Sequence, residues 1–111
     1  MTKVNKGIDL HAMQAAAAQA SGLLKVLANQ DRMMLLCQLS QGEHSVNALE
    51  AAIGIGQPTL SQQLAVLRDE AVVTTRREGK QIFYSIASAE AIAVLQLLYA
   101  LFCPNKEGTT P

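Results

Sequence analysis

GIGQPTLSQQLAVL, residues 54–67, is a turn followed by a helix with an unusual face. Gly54 and Gly56 break the helix before them, and Pro58 suits the first turn of the helix after them, where its missing N–H costs nothing. At about 100° per residue, Leu60, Leu64, Leu67 and Ala71 fall on one stripe. Gln62 points the opposite way, and Ser61 and Gln63 lie on the shoulders. The first two turns therefore present small, uncharged, hydrogen-bonding groups. A helix that enters a DNA major groove needs such a face. Carboxylates there would repel phosphates, whereas amides and hydroxyls can meet the donors and acceptors of base edges. A helical hairpin with a solvated polar face accounts for these residues equally well, so the flanking segments decide.

Upstream, Ser45 caps a short helix, SVNALEAAI, with Val46, Leu49 and Ile53 on one side. Short helix, glycine turn and longer helix together make a helix-turn-helix, whose second helix reads bases with its N-terminal residues. Gln57, Thr59, Ser61, Gln62 and Gln63 are the candidate base readers. Downstream the period changes from helical to alternating. VVTTRR and QIFYSI flank EGK, with Gly79 at the tip of a β-hairpin. Arg76, Arg77 and Lys80 cluster at this tip, opposed only by Glu78. A basic hairpin directly after a helix-turn-helix is a wing, able to contact phosphates.

Further out, an alanine-rich helix runs from an Asp9 cap to about Leu27. A second starts after Asn29 and stops at Gly42. A final helix runs from a Ser88 cap to Pro104 and is apolar nearly all round. In a small chain such a helix is best covered by a partner subunit. The expected fold is mainly α with a β-hairpin wing: four helices, two strands and a fifth helix, paired as a homodimer through the first and last helices. Residues 9–103 form one winged helix-turn-helix domain, with a disordered segment at 1–8 and a flexible tail at 104–111.

The chain has 111 residues, half of them apolar, with nine basic and nine acidic side chains. Zero net charge counts mildly against a nucleic-acid partner, but a local patch can act within a neutral protein. No apolar run has the length of a membrane span and no signal sequence is recognisable, so a cytoplasmic protein is expected. A protein-interaction module would not need the basic wing. A thiol enzyme is disfavoured because no Cys–His pairing stands at a recognisable spacing and no glycine-rich phosphate loop is present. Cys37 and Cys103 are the only cysteines, far apart in sequence and without a CxxC.

The segments LLKVLANQDRMMLLCQL and SVNALEAAIGIGQPTLSQQLAVLRDEAVVTTRREGKQIFYSI resemble the ArsR/SmtB family of dimeric bacterial winged-helix repressors. The likeness spans roughly residues 20–103. IGIGQPTLSQQL and the two cysteine positions are most similar to the BigR/SqrR/HlyU branch, which responds to reactive sulfur species. The resemblance implies a repressor that leaves double-stranded operator DNA when Cys37 and Cys103 are bridged through sulfur. Cys37 is the expected attacking thiol, because the negative end of the last helix disfavours a thiolate at Cys103, and Arg32 or another cation could assist it. A general oxidant switch or a soft-metal sensor is the alternative. Many metal-sensing relatives carry Cys-x-Cys in the short helix before the turn, where this chain has Asn47-Ala48-Leu49-Glu50. No cofactor, metal site or catalytic residue is expected.

Overall fold

The computed structural model describes residues 9–103. Its elements are α1 (Leu10–Leu27), α2 (Gln30–Leu39), β1 (His44–Ser45), α3 (Val46–Ile53), α4 (Thr59–Asp69), β2 (Val73–Glu78), β3 (Gln81–Ile86) and α5 (Ala89–Phe102). The five helices and the hairpin stand in the expected order. The addition is β1, a two-residue strand that pairs antiparallel with β3, His44 opposite Tyr84 and Ser45 opposite Phe83. The sheet is thus three-stranded, in the order β1-β3-β2. Two residues carry no periodicity from which a strand could be read.

Short polar side chains set the helix starts. Asn29 accepts the Arg32 N–H at 2.9 Å, Ser45 the Ala48 N–H at 3.1 Å and Ser88 the Ala91 N–H at 3.0 Å. Asp9 accepts the His11 N–H at 3.1 Å. Each cap contributes about 1 kcal/mol by satisfying a donor that the helix leaves open. Gly54 ends α3 at φ 73°, a left-handed conformation that suits glycine.

The core gathers Leu35, Leu36 and Leu39 of α2, Leu49 of α3, and Leu60, Leu64 and Leu67 of α4. Tyr84 of β3, with Ala91 and Leu95 of α5, closes it. The leucine stripe of α4 is therefore buried as its spacing requires, and Gln62 opposite it is exposed.

Three boundaries differ from expectation. Ala71 does not continue the stripe. It is exposed, lies beyond the helix and adopts φ 60°, while the Val72 N–H closes back onto the Leu67 carbonyl at 3.0 Å. The turn brings Val72 and Val73 into the core in its place. Pro58 stands immediately before the first helical residue, and its carbonyl accepts the Gln62 N–H at 3.0 Å. Cys103 follows the last helical residue with an extended backbone. The segments 1–8 and 104–111, expected to be disordered and flexible, lie outside the described residues.

Two helices are poorly covered. Most of α1 is exposed, and only Val26 and Leu27 at its end are buried. On α5, Leu97, Tyr99, Leu101 and Phe102 face outward, the last two at 64% and 77% exposure. Among the described residues no helix is long and apolar enough to cross a membrane.

Ala71 gives a direct test of the α4–β2 turn. A left-handed L-residue is strained, so Ala71→Gly should raise unfolding stability by about 0.5–1 kcal/mol, read from urea denaturation at fixed protein concentration. Leu60→Ala, at a fully buried position, should lower it by about 2–5 kcal/mol in the same assay.

Candidate nucleic-acid interface and cysteine pair

Burial of Leu60, Leu64 and Leu67 fixes the rotation of α4, so the rest of its first two turns must face outward. Gln57, Ser61 and Gln62 are exposed, and Thr59 and Gln63 are half-buried on either side. The five candidates differ in how free they are. The Ser61 hydroxyl donates to Gln57 Oε1, one turn earlier. Gln63 Oε1 accepts from Arg32 Nη1 at 2.8 Å. Gln62 makes no side-chain hydrogen bond among the described residues.

The wing is a regular antiparallel ladder from Val73 opposite Ile86 to Glu78 opposite Gln81. Strand alternation puts Arg76 on one face with its cross-strand partner Phe83, and Arg77 on the other with Thr75 and Val73. Arg76 is engaged within the protein. Its Nε donates to Glu43 Oε2 at 2.7 Å, its Nη2 to Glu43 Oε1 at 2.9 Å and its Nη1 to Glu78 at 3.0 Å. Its guanidinium also lies 4.6 Å from the centre of the Phe83 ring. The wing cluster is therefore opposed by two carboxylates, not by Glu78 alone. Sequence could not reveal Glu43, which reaches the wing from the loop before β1, 33 residues upstream of Arg76. Arg76 hydrogen bonds hold the Glu43 carboxyl below the usual carboxylate range. Arg77 and Lys80 are exposed and make no ion pair among the described residues.

The fold brings Cys37 and Cys103 to one place. Both line an apolar cavity of about 260 Å³ between α2 and α5, with Met33, Leu95, Leu98, Tyr99 and Phe102 as its other walls. Helical spacing explains the walls. Met33 and Cys37 are one turn apart on α2, and positions 95, 98, 99 and 102 form one stripe of α5. A second cavity, about 400 Å³, adjoins through Cys37, Leu95 and Tyr99 and adds Ser40, Gln41 and Gln96. Both thiols are free; Cys37 is half-buried and Cys103 exposed. Burial, and then the nearby Cys103, push the Cys37 thiol up from its ordinary range. This runs against the expectation that Cys37 is the more readily ionised, attacking residue. Nor does Arg32 assist it, because that guanidinium bonds to Val26, Lys25 and Gln63. Among the described residues no three His, Cys, Asp or Glu side chains gather as metal ligands would.

The sequence pattern of the family described as "Bacterial regulatory protein, arsR family" matches residues 29–75, from the start of α2 into the wing. The chain is 53% identical over 101 residues to the biofilm growth-associated repressor of Agrobacterium fabrum, covering 91% of this chain and 86% of that one. It is 40% identical over 96 residues to the transcriptional activator HlyU of Vibrio cholerae, covering 86% and 89%. The crystal structure of the transcriptional repressor BigR from Xylella fastidiosa superposes with a TM-score of 0.81 at 48% identity, covering 88% of this chain and all of that one. Such identity across nearly the whole fold, with helix-turn-helix and wing both in place, shows that the chain belongs to the arsR family of bacterial regulatory proteins.

Proposed function

We propose that the protein is a cytoplasmic, homodimeric repressor that reads double-stranded operator DNA with α4 and the wing. We further propose that it releases the operator when reactive sulfur bridges Cys37 to Cys103. The observation that carries the second part is the shared apolar cavity, which joins cysteines 66 positions apart in sequence. The family and the A. fabrum and X. fastidiosa relatives described as repressors support the first part.

The exposed apolar faces of α1 and α5 are the natural dimer surface. Leu10, Met13 and Leu24 on α1, and Leu97, Leu101 and Phe102 on α5, would otherwise stand in water. A two-fold axis through these helices gives two reading heads, which must lie about 34–36 Å apart to enter successive major grooves. Gln57, Thr59, Ser61, Gln62 and Gln63 supply the base-facing groups, and Arg77 and Lys80 the phosphate contacts. Arg76 shapes the wing more than it neutralises DNA, since Glu43 and Glu78 already balance it.

The sulfur chemistry starts at Cys103, the more exposed thiol. Its thiolate attacks the sulfane sulfur of a persulfide, R–S–SH. The S–S bond breaks, the organic thiol leaves and Cys103 becomes a persulfide. A second donor does the same at Cys37. The Cys103 persulfide anion then attacks the Cys37 sulfur and expels hydrogen sulfide. The product is a trisulfide, with two thiols and one hydrogen sulfide released per two donors. A direct disulfide requires Cα atoms within about 7 Å, and the extra sulfur relaxes that demand. The bridge ties α2, which supports the reading helix, to α5 at the dimer surface. A coupling of about 1–3 kcal/mol would change operator affinity about 5–150-fold.

Fluorescence anisotropy on an operator from the protein's own upstream DNA tests both parts. Glutathione persulfide should weaken binding and add sulfur across Cys37 and Cys103 in the intact mass, while hydrogen peroxide should do neither. Equal action by peroxide would make the pair a general thiol switch, and unchanged affinity after bridging would refute the coupling.

Arg77→Ala should weaken binding to every duplex and flatten the salt dependence of log K by about 1.8, about 0.9 for each subunit of the dimer. Arg76→Ala should change that slope less. The opposite ranking would reverse the assignment of the wing.

With the Cys37 thiol raised, less of it is thiolate at a given pH. Iodoacetamide should therefore alkylate Cys103 ahead of Cys37 near pH 8, and the Cys37 rate should keep climbing as pH passes the ordinary thiol range. Peptide mass spectrometry over time separates the two.

A further inference from the structure

Arg32 belongs to α2, yet its guanidinium bonds lie outside that helix. Nε donates to the Val26 carbonyl at 2.7 Å and Nη2 to the Lys25 carbonyl at 3.3 Å, both in the last turn of α1. Nη1 donates to Gln63 Oε1 on α4 at 2.8 Å. The first two bonds are what a cation at a helix C-terminus makes with carbonyls that have no partner in the helix. That capping role does not account for the third.

The third bond fixes more than a distance. A guanidinium has donors and no acceptor, so the Gln63 atom facing it must be the amide oxygen. The amide NH₂ then points away from Arg32, on the shoulder of the face that α4 presents outward. Gln62, the neighbouring residue with the same side chain, is exposed and keeps both amide atoms available. Two adjacent glutamines are thus made chemically unlike by a residue 31 positions upstream.

We infer that Arg32 is a positioning residue for base recognition: it holds Gln63 as a donor only, so that Gln63 selects a base edge of acceptors. Guanine O6 and N7, or thymine O4, match that requirement. Adenine matches it only in part: N7 accepts, but the N6 amino group asks the same amide to accept as well, which Gln62 can do and a held Gln63 cannot. This assignment rests on α4 entering the major groove, and it adds which class of base edge the shoulder position accepts. It also gives α2, which carries Cys37, a polar link to a reading side chain.

The test is anisotropy with an operator panel in which each base pair of one half-site is replaced in turn. The proteins are wild type, Arg32→Met, Arg32→Lys, Gln63→Leu and the Arg32→Met/Gln63→Leu double variant, each checked by circular dichroism. Gln63→Leu should lose roughly tenfold of discrimination at one base pair. Arg32→Met should lose discrimination at that same pair and tolerate adenine there, because the released amide can turn. The double variant should match Gln63→Leu alone, and Arg32→Lys, still a donor-only cation, should restore much of the preference. A uniform loss across the panel in Arg32→Met, additive with Gln63→Leu, would mean that Arg32 only supports the fold and would overturn the assignment. If Arg32→Met does not fold, Gln63→Glu decides. It keeps an oxygen on Arg32 and removes the donors; its charge weakens every duplex alike, so the readout is the ratio between panel members, which should collapse at the same pair, and a ratio retained there overturns the assignment. Wild-type protein that prefers no duplex would overturn the placement of α4 itself, an outcome distinct from a preference that Arg32 does not alter.

Discussion

The burial of Leu60, Leu64 and Leu67 is the constraint from which the interface follows. Each leucine contributes about 1.5–3 kcal/mol by leaving water, which exceeds what a single polar contact on the opposite side adds. These three side chains therefore set the rotation of α4 about its axis. Once they face the core, Ser61 and Gln62 must face out, whatever they bind. The polar groups do not orient the helix. They are carried to the surface by leucines, and their own hydrogen bonds then decide which atoms remain available.

Charge is distributed by the same logic. The chain is neutral overall, so any attraction to a polyanion has to be local. The ladder separates the adjacent arginines of the wing onto opposite faces. Arg76 meets Glu43, Glu78 and the Phe83 ring, and its charge is largely cancelled within the protein. Arg77 and Lys80 keep theirs. Three basic residues in sequence thus become one paired within the protein and two exposed ones toward the tip of the wing. Acidification bears on this arrangement with a definite sign. The Glu43 carboxyl sits below its ordinary range, so its pairing with Arg76 persists above the unfolded carboxylate pKa and is lost as pH falls through the lower, folded value.

Patterns that repeat within one element were legible in the sequence. The leucine stripe, the caps at Asp9, Ser45 and Ser88 and the alternation around Gly79 depend on neighbours a few residues away, and each appears in the structure. What escaped was contact between distant segments. Nothing near Glu43 marks it as the partner of Arg76, and nothing near Arg32 marks Gln63 as its acceptor. The strand β1 escaped for a related reason, since it exists only because β3 lies beside it. Ala71 misled in the other direction. It has the right spacing for the stripe, but the chain turns there through a conformation that glycine would announce and alanine does not.

The cysteines join these scales. Spacing along the chain gives no reason to pair Cys37 with Cys103, and the helix dipole alone favours Cys37 as the more ionised. The fold brings the two together by packing the 95–102 stripe of α5 over Met33 and Cys37, and the same packing works against ionisation of Cys37. An apolar wall that brings two sulfurs together also withholds water from the inner one, so burial raises the Cys37 thiol while Cys103 stays exposed. Proximity and reluctance have one cause. A direct disulfide demands a short Cα separation that an extra bridging sulfur relaxes, and this is the physical ground for the proposed preference for sulfane sulfur over peroxide as the bridging reagent.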